Sequence, residues 1–270
     1  MSEQTDTPRA DMPGSAPAQN GIPGSSAPSA PASDRRPKRV PAVPEPESLV
    51  EVPLFRGLTI EQLSKLSMLL RYKRASAGTE IITVKKPGEI AYVILDGGVK
   101  IHIDQPDGSD VILAILGAGE IVGEMSLADS LGRSASVTTL EPSTLLMMDR
   151  AAFWESLKEV PKMTYNLINV LSRRLRLANL HAQSLVRLDV YGRVAGQLLA
   201  LAQEYGEAAP NGDVLIPLHL TQSDLASMVG ASRVRVNQAL GFYKRRNYLS
   251  VNQDRHIVVH DVAALGRHCG

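Results

Sequence analysis

The sequence predicts an α+β chain with an N-terminal antiparallel β-roll, one long helix and a C-terminal winged helix-turn-helix. Three observations carry that prediction. Between Arg71 and Asp149, runs rich in valine, isoleucine and leucine alternate with turn signals, at the roughly ten-residue spacing of a small all-β unit. Ile168, Leu171, Leu175, Ala178, Ala182 and Leu185 recur every three or four residues, the seam of a two-stranded coiled coil. Thr221 to Gly230 and Ser232 to Leu240 read as two short helices about a glycine turn, with two short β runs after them.

Composition sets the outer bounds. A chain of 270 residues with 44% hydrophobic content can bury a core in one large or two modest domains. No run is apolar enough to span a bilayer, and the N-terminus lacks the apolar centre of a signal peptide. A cytoplasmic protein with no membrane partner is therefore expected. The single cysteine, Cys269, rules out a disulfide framework, a cysteine zinc site and a cysteine-held iron–sulfur cluster within one chain.

Residues 1–48 hold ten of the 17 prolines and almost no large apolar side chain. They cannot offset the entropy of ordering and are expected to form a disordered arm. Its cluster Asp34-Arg35-Arg36-Pro37-Lys38-Arg39 fits either a solvated linker or a contact to a polyanion. The roll is expected over 49–158. It opens with a helical pattern from Pro53 through Leu54, Phe55, Leu58, Ile60, Leu63, Leu66 and Leu69, with Thr59 placed to cap against Gln62. Turns follow at Ala77-Gly78, Lys86-Pro87-Gly88, Asp96-Gly97-Gly98, Pro106-Asp107-Gly108, Gly117-Ala118-Gly119 and Glu141-Pro142. Tyr92 to Leu95 and Val99 to Ile103 read as a hairpin with alternating faces. A metal cupin would need several histidines converging inside such a roll, and this one contains only His102. No metal site is expected.

The stretch Gly119-Glu120-Ile121-Val122-Gly123-Glu124-Met125-Ser126-Leu127, closed by Arg133-Ser134-Ala135, has the chemistry of a cradle. Two glycines four apart let the backbone approach a ligand closely, a carboxylate accepts from hydroxyls, and a guanidinium fork suits phosphate. Phe153 to Leu157 begin helical structure, Pro161 breaks it, and the long helix, expected over 159–188, runs to about Arg187. Its seam predicts a homodimer.

Asp189 can cap a new helix through Val194, Leu198, Leu199 and Leu201, which opens a winged module over 189–270. Ala208 to Asp213 form a turn and Val214 to Ile216 a short strand. The second helix of the glycine-linked pair, led by Ser232-Arg233, is in the position that enters a DNA major groove. Tyr248 to Val251 and His256 to His260 supply the wing. From Leu218 onward seven basic residues face three acidic ones, a net +4 in a nearly neutral chain, suited to phosphates.

In this order the parts resemble the cyclic-AMP receptor protein/FNR family of bacterial transcription regulators, from about residue 54 onward. The resemblance implies a cyclic-nucleotide-binding roll. In it Glu124 would accept from the ribose hydroxyl, Arg133 and Ser134 would bind the cyclic phosphate, and Gly123 and Ala135 would permit close backbone approach. Arg174 on the long helix falls where an arginine reaches toward the ligand. Ala178 and Asn179 stand where the cyclic-AMP receptor has a threonine and a serine that reach adenine. Asn179 can pair with a purine edge and Ala178 cannot, and the loop from Glu124 to Arg133 is one residue shorter. Oxygen sensing of the FNR type needs a cysteine cluster, and this chain has none.

The implied function is sequence-specific regulation of transcription on an inverted-repeat double-stranded DNA, gated by cyclic AMP or a related nucleotide, with RNA polymerase as a further partner. Ser232, Arg233, Val234, Arg235, Asn237, Gln238 and Lys244 are the candidate DNA contacts. Alternatives are an effector-independent activator controlled by its abundance, and a nucleotide-binding module without DNA function. No nucleophile with its base is evident, so no enzyme is expected.

Overall fold

The computed structural model describes residues 43–106, 108–129 and 131–269, so the expected arm lies outside it except for its last six residues. Regular structure begins earlier than expected, because Pro46–Leu49 form a 3-10 turn that buries Leu49. The helix expected from Pro53 also divides. Pro53–Phe55 make a second 3-10 turn, Gly57 takes φ +76°, and only then does α1 (Ile60–Leu69) start. Thr59 caps it and Gln62 closes the capping box.

Eight strands follow: β1 (Arg71–Ala75), β2 (Glu80–Ile82), β3 (Ile90–Asp96), β4 (Val99–Asp104), β5 (Asp110–Leu116), β6 (Ile121–Val122), β7 (Ser136–Thr139) and β8 (Ser143–Asp149), with the short helix α2 (Glu124–Asp129) between β6 and β7. They pair antiparallel as two four-stranded sheets, in the orders β1-β8-β3-β6 and β2-β7-β4-β5. The period of two explains the continuous apolar run of β3. Tyr92 and Ile94 face a core fed by all eight strands, while Ala91 and Val93 face the helices on the other side. His102 on β4 is buried, and its Nε2 lies 2.9 Å from Thr138 Oγ1.

The helices on the outer face are α1, α3 (Arg150–Glu159) and the start of α4 (Pro161–Arg187). Met163, Asn166, Leu167 and Val170 of α4 are buried at positions i, i+3, i+4 and i+7, and Asn166 donates to the carbonyls of Leu54 and Arg56 at 3.0 and 2.8 Å. Another face of the same helix is bare. Ile168, Leu175 and Leu185 of the expected seam are 57%, 63% and 42% exposed. Leu171 alone among the seam residues packs against the core of its own roll.

The C-terminal module contains α5 (Val190–Tyr205), β9 (Glu207–Ala208), β10 (Val214–Ile216), α6 (Gln222–Val229), α7 (Arg233–Arg245), β11 (Leu249–Val251), β12 (Ile257–Val259) and α8 (Val262–Gly266). Its sheet runs β11-β12-β10-β9, and its helices enclose one apolar core. Ile112 and Ile115 of β5 join that core, so the outer face of the second sheet is where the module docks. Polar bonds reinforce the contact: Ser227 Oγ donates to Asp110 O at 2.8 Å, and Lys100 pairs with Asp110 and stands 3.8 Å from Asp224. No helix among the described residues is long and apolar enough to cross a membrane.

Candidate functional site

The cradle forms where β6 hands over to α2. Gly123 makes that turn with φ +84°, and a Cβ there would lie 2.6 Å from Arg133 Nη1 and 2.9 Å from Ile90 O. An L side chain here would be strained by the backbone and crowded by the Ile90 carbonyl. The next residue, Glu124, begins α2 with its side chain 5% exposed. The six-residue α2 was not foreseen in the sequence. Its late carbonyls are satisfied from α3: Arg150 donates to Ser126 O and Leu127 O at 2.9 and 3.1 Å, and Trp154 Nε1 to Leu127 O at 3.0 Å.

Arg133 turns inward over this helix. Nη1 donates to Gly123 O and Ser126 Oγ at 3.0 and 3.1 Å, and Nη2 to Ile90 O at 2.6 Å. All three acceptors are neutral. Burial holds the guanidinium below its usual pKa, which is the expected cost of a cation without a neutralising partner in contact.

Arg174, at the middle of α4, bridges the two carboxylates of the cassette. Its Nη1 donates to Glu124 Oε1 at 2.8 Å and its Nη2 to Glu120 Oε2 at 2.6 Å, with a further bond to Ile121 O. Arg173 beside it pairs with Glu120 and with Glu204 of α5. Burial alone would lower the Arg174 pKa, but Glu124 and Glu120 more than reverse this and hold the side chain charged. Burial pushes the Glu124 carboxyl up, opposed by Arg174.

The structure thus brings Gly123, Glu124, Arg133 and Arg174 together. Ala135 is buried nearby in sequence at 6% exposure, whereas Ser134 is exposed. Asn179 is also exposed, five residues and about 7.5 Å along α4 from Arg174. Sequence reasoning passed over Glu120, Ser126 and Arg173. Glu120 did carry a signal, a lone acid in an otherwise apolar run after glycine. Nothing in the sequence marked Ser126 as a partner of Arg133.

The second surface is α7. Thr221 and Asp224 form a capping box on α6, Gly230 ends that helix in the left-handed region at φ +59°, and Ser232 caps α7 by accepting from Arg235 N. Val236, Ala239, Leu240 and Tyr243 bury one face of α7. Tyr243 anchors it with a 2.9 Å bond from its hydroxyl to Tyr191 O. Ser232, Arg233, Val234, Arg235, Asn237, Gln238 and Lys244 all lie exposed on it, and Val234 is 66% exposed. Arg233, Lys244 and Arg255 also line a groove between α6, α7 and the wing, shared with Thr221 and Ser223. Arg246 stacks over Phe242, 4.2 Å from the ring centroid.

Residues 72–159 match the Cyclic nucleotide-binding domain family, and residues 192–268 match the Crp-like helix-turn-helix domain family. A CRP-like cAMP-activated global transcriptional regulator of Mycobacterium tuberculosis is 34% identical over 221 residues, 82% of this chain and 98% of that protein. This chain belongs to the CRP/FNR family. A Cyclic AMP receptor protein of Thermus thermophilus is 32% identical across 70% of this chain and 83% of its own length. Among solved structures, FixK2 from Bradyrhizobium japonicum shares the fold with a TM-score of 0.64 at 20% identity, covering 74% of this chain and 98% of its own. The protein is accordingly a CRP-type transcription regulator that joins a cyclic-nucleotide-binding domain to a DNA-binding helix-turn-helix.

Proposed function

We propose that the protein is a cytoplasmic homodimer that binds an inverted-repeat DNA site and is gated by a cyclic nucleotide, with cyclic AMP the first candidate. The observation that carries this reading is Arg133, a part-buried guanidinium whose three acceptors are neutral. A cyclic phosphate would supply the missing negative charge in a fork geometry. Glu124 would accept from the ribose hydroxyl once Arg174 shifts its bond, and Asn179 would face the base from the dimer helix. The bare seam at Ile168, Leu175 and Leu185 supports pairing of α4 with its copy.

In the dimer, two α7 helices would enter successive major grooves about 34 Å apart. Arg233 would read guanine, Val234 a thymine methyl and Gln238 adenine, while Lys244 holds phosphate. The turn at 208–212 is the surface we assign to RNA polymerase. A second reading has its own support: Glu124 and Arg174 already satisfy each other, and Ala178 offers adenine nothing. A regulator active without any effector would look the same.

Fluorescence anisotropy on an inverted-repeat DNA, at fixed salt, separates the two readings. Gating predicts that cyclic AMP tightens binding tenfold or more, about 1.4 kcal/mol. Tight binding that ignores the nucleotide favours the effector-independent reading, and failure to bind any DNA rejects both.

A further inference from the structure

Glu141, His219 and His256 are far apart in sequence and meet at the contact between the roll and the winged module. Glu141 belongs to the turn from β7 to β8, His219 to the link from β10 to α6, and His256 to the end of the wing turn just before β12. One donor atom from each lies within 4.8 Å of the other two. His219 Nε2 stands 3.5 Å from Glu141 Oε2, and the two imidazole centroids are 4.5 Å apart.

Two atoms of the cluster are buried without a hydrogen-bond partner, Glu141 Oε1 and His256 Nε2. Buried polar atoms of this kind cost free energy unless something binds them. The backbones that carry them are fixed. Asn252 and His256 bond each other across the wing turn at 2.8 and 2.9 Å. Gly98 leaves the space above Glu141, where a Cβ would meet Leu218 Cδ2 at 2.8 Å and Glu141 Oε1 at 3.2 Å. The side chain of His219 is 41% exposed, so the cluster is open on one side.

We infer that Glu141, His219 and His256 form a binding site for a divalent transition-metal ion of the zinc type. Two imidazoles and one carboxylate are a zinc donor set, and the open side leaves the fourth position to water. Zinc ligands at about 2.0–2.2 Å in a tetrahedron stand roughly 3.4 Å apart, so modest side-chain rotation closes the cluster. The ion clamps roll to module, and because it binds only this docked arrangement it shifts the population toward it. The expectation that the chain holds no metal site rested on the single cysteine, Cys269, and on His102 being the one histidine of the roll. The ligands here come from three separate segments, which no sequence spacing joins.

The test is titration of zinc chloride into the chelator-treated full-length protein by calorimetry, alongside His219→Gln and Glu141→Gln. The site predicts one zinc ion per chain in the wild type, at least tenfold weaker binding in each variant, and a zinc-dependent rise in Tm that both variants lose. Because His219 is partly exposed, the metal-free His219→Gln protein is expected to melt with the wild type. Absence of zinc binding by the wild type would overturn the inference. So would equal affinity in wild type and His219→Gln, which would place the ion elsewhere.

Discussion

The winged module and the cradle handle charge in opposite ways. Arg233, Arg235 and Lys244 lie exposed on α7 and pair with no acid among the described residues, whereas Glu120 and Glu124 lie 4–5% exposed under Arg173 and Arg174. Solvated cations suit a long polyanion that is bound by release of its counterions. Buried and mutually satisfied charges suit a small ligand that must exchange one set of bonds for another. Substitutions in the two regions should therefore fail differently, in DNA affinity at α7 and in stability at the cradle.

The sharpest contrast comes from Arg174→Ala. It leaves Glu124 buried without its partner, and removal of one member of a buried pair costs about 3–5 kcal/mol, read as a lower urea midpoint. An unchanged midpoint would mean that the network carries no stability. Gly123→Ala comes next. Its left-handed backbone and the 2.6 Å clash with Arg133 predict a loss of about 2–3 kcal/mol together with loss of cyclic nucleotide binding. A variant that is stable and binds normally would show that the turn is not rigid.

Arg233→Ala inverts the pattern. Stability should stay within about 0.5 kcal/mol, while DNA affinity falls by about 1–3 kcal/mol and preference relaxes at one base pair per half-site. A uniform loss on all sequences would make Arg233 a phosphate contact instead.

A pH dependence is expected at Tyr205, which packs against Gly117 beside the buried network. Burial and, after it, the Glu120 carboxylate push its phenol from 10.0 up to about 12. A raised acid favours the folded state while it stays protonated. Its contribution is therefore complete below pH 10 and is lost as pH rises through about 12. Tyr205→Phe should abolish that decline, seen as the difference between wild-type and variant unfolding curves over this range. Parallel curves would show that the phenol does not titrate differently on folding.

The same contrast explains what was legible in the sequence. The winged module is written locally: Thr221 with Asp224, Gly230, Ser232 and the spacing of Val236, Ala239, Leu240 and Tyr243 all act within one or two helical turns. The strands of the roll were legible but their pairing was not: Tyr92 to Leu95 and Val99 to Ile103 read as a hairpin, yet β3 pairs with β8 and β6 and β4 with β5 and β7, so Gly97, at φ +87°, carries the chain from one sheet to the other. The start of α1 was misread because the apolar periodicity runs through Pro53–Phe55, where Gly57 and the Thr59 cap decide otherwise.

The cradle was legible only as a motif. Its working bonds join Ile90, Ser126 and Arg133, and Glu120 with Arg173, and these depend on tertiary packing. The helix α2 was too short to show a period. Glu141, His219 and His256 were invisible for the same reason, since three turns of the chain meet only when the module docks on β5.

The most direct measurement is calorimetric titration of cyclic AMP into wild-type protein and Arg133→Ala. If the part-buried, charge-unmatched guanidinium is the phosphate fork, the wild type binds one nucleotide per chain and the variant binds at least a hundredfold more weakly, about 2.7 kcal/mol. Equal binding by the two proteins, or no binding by the wild type, would contradict the assignment.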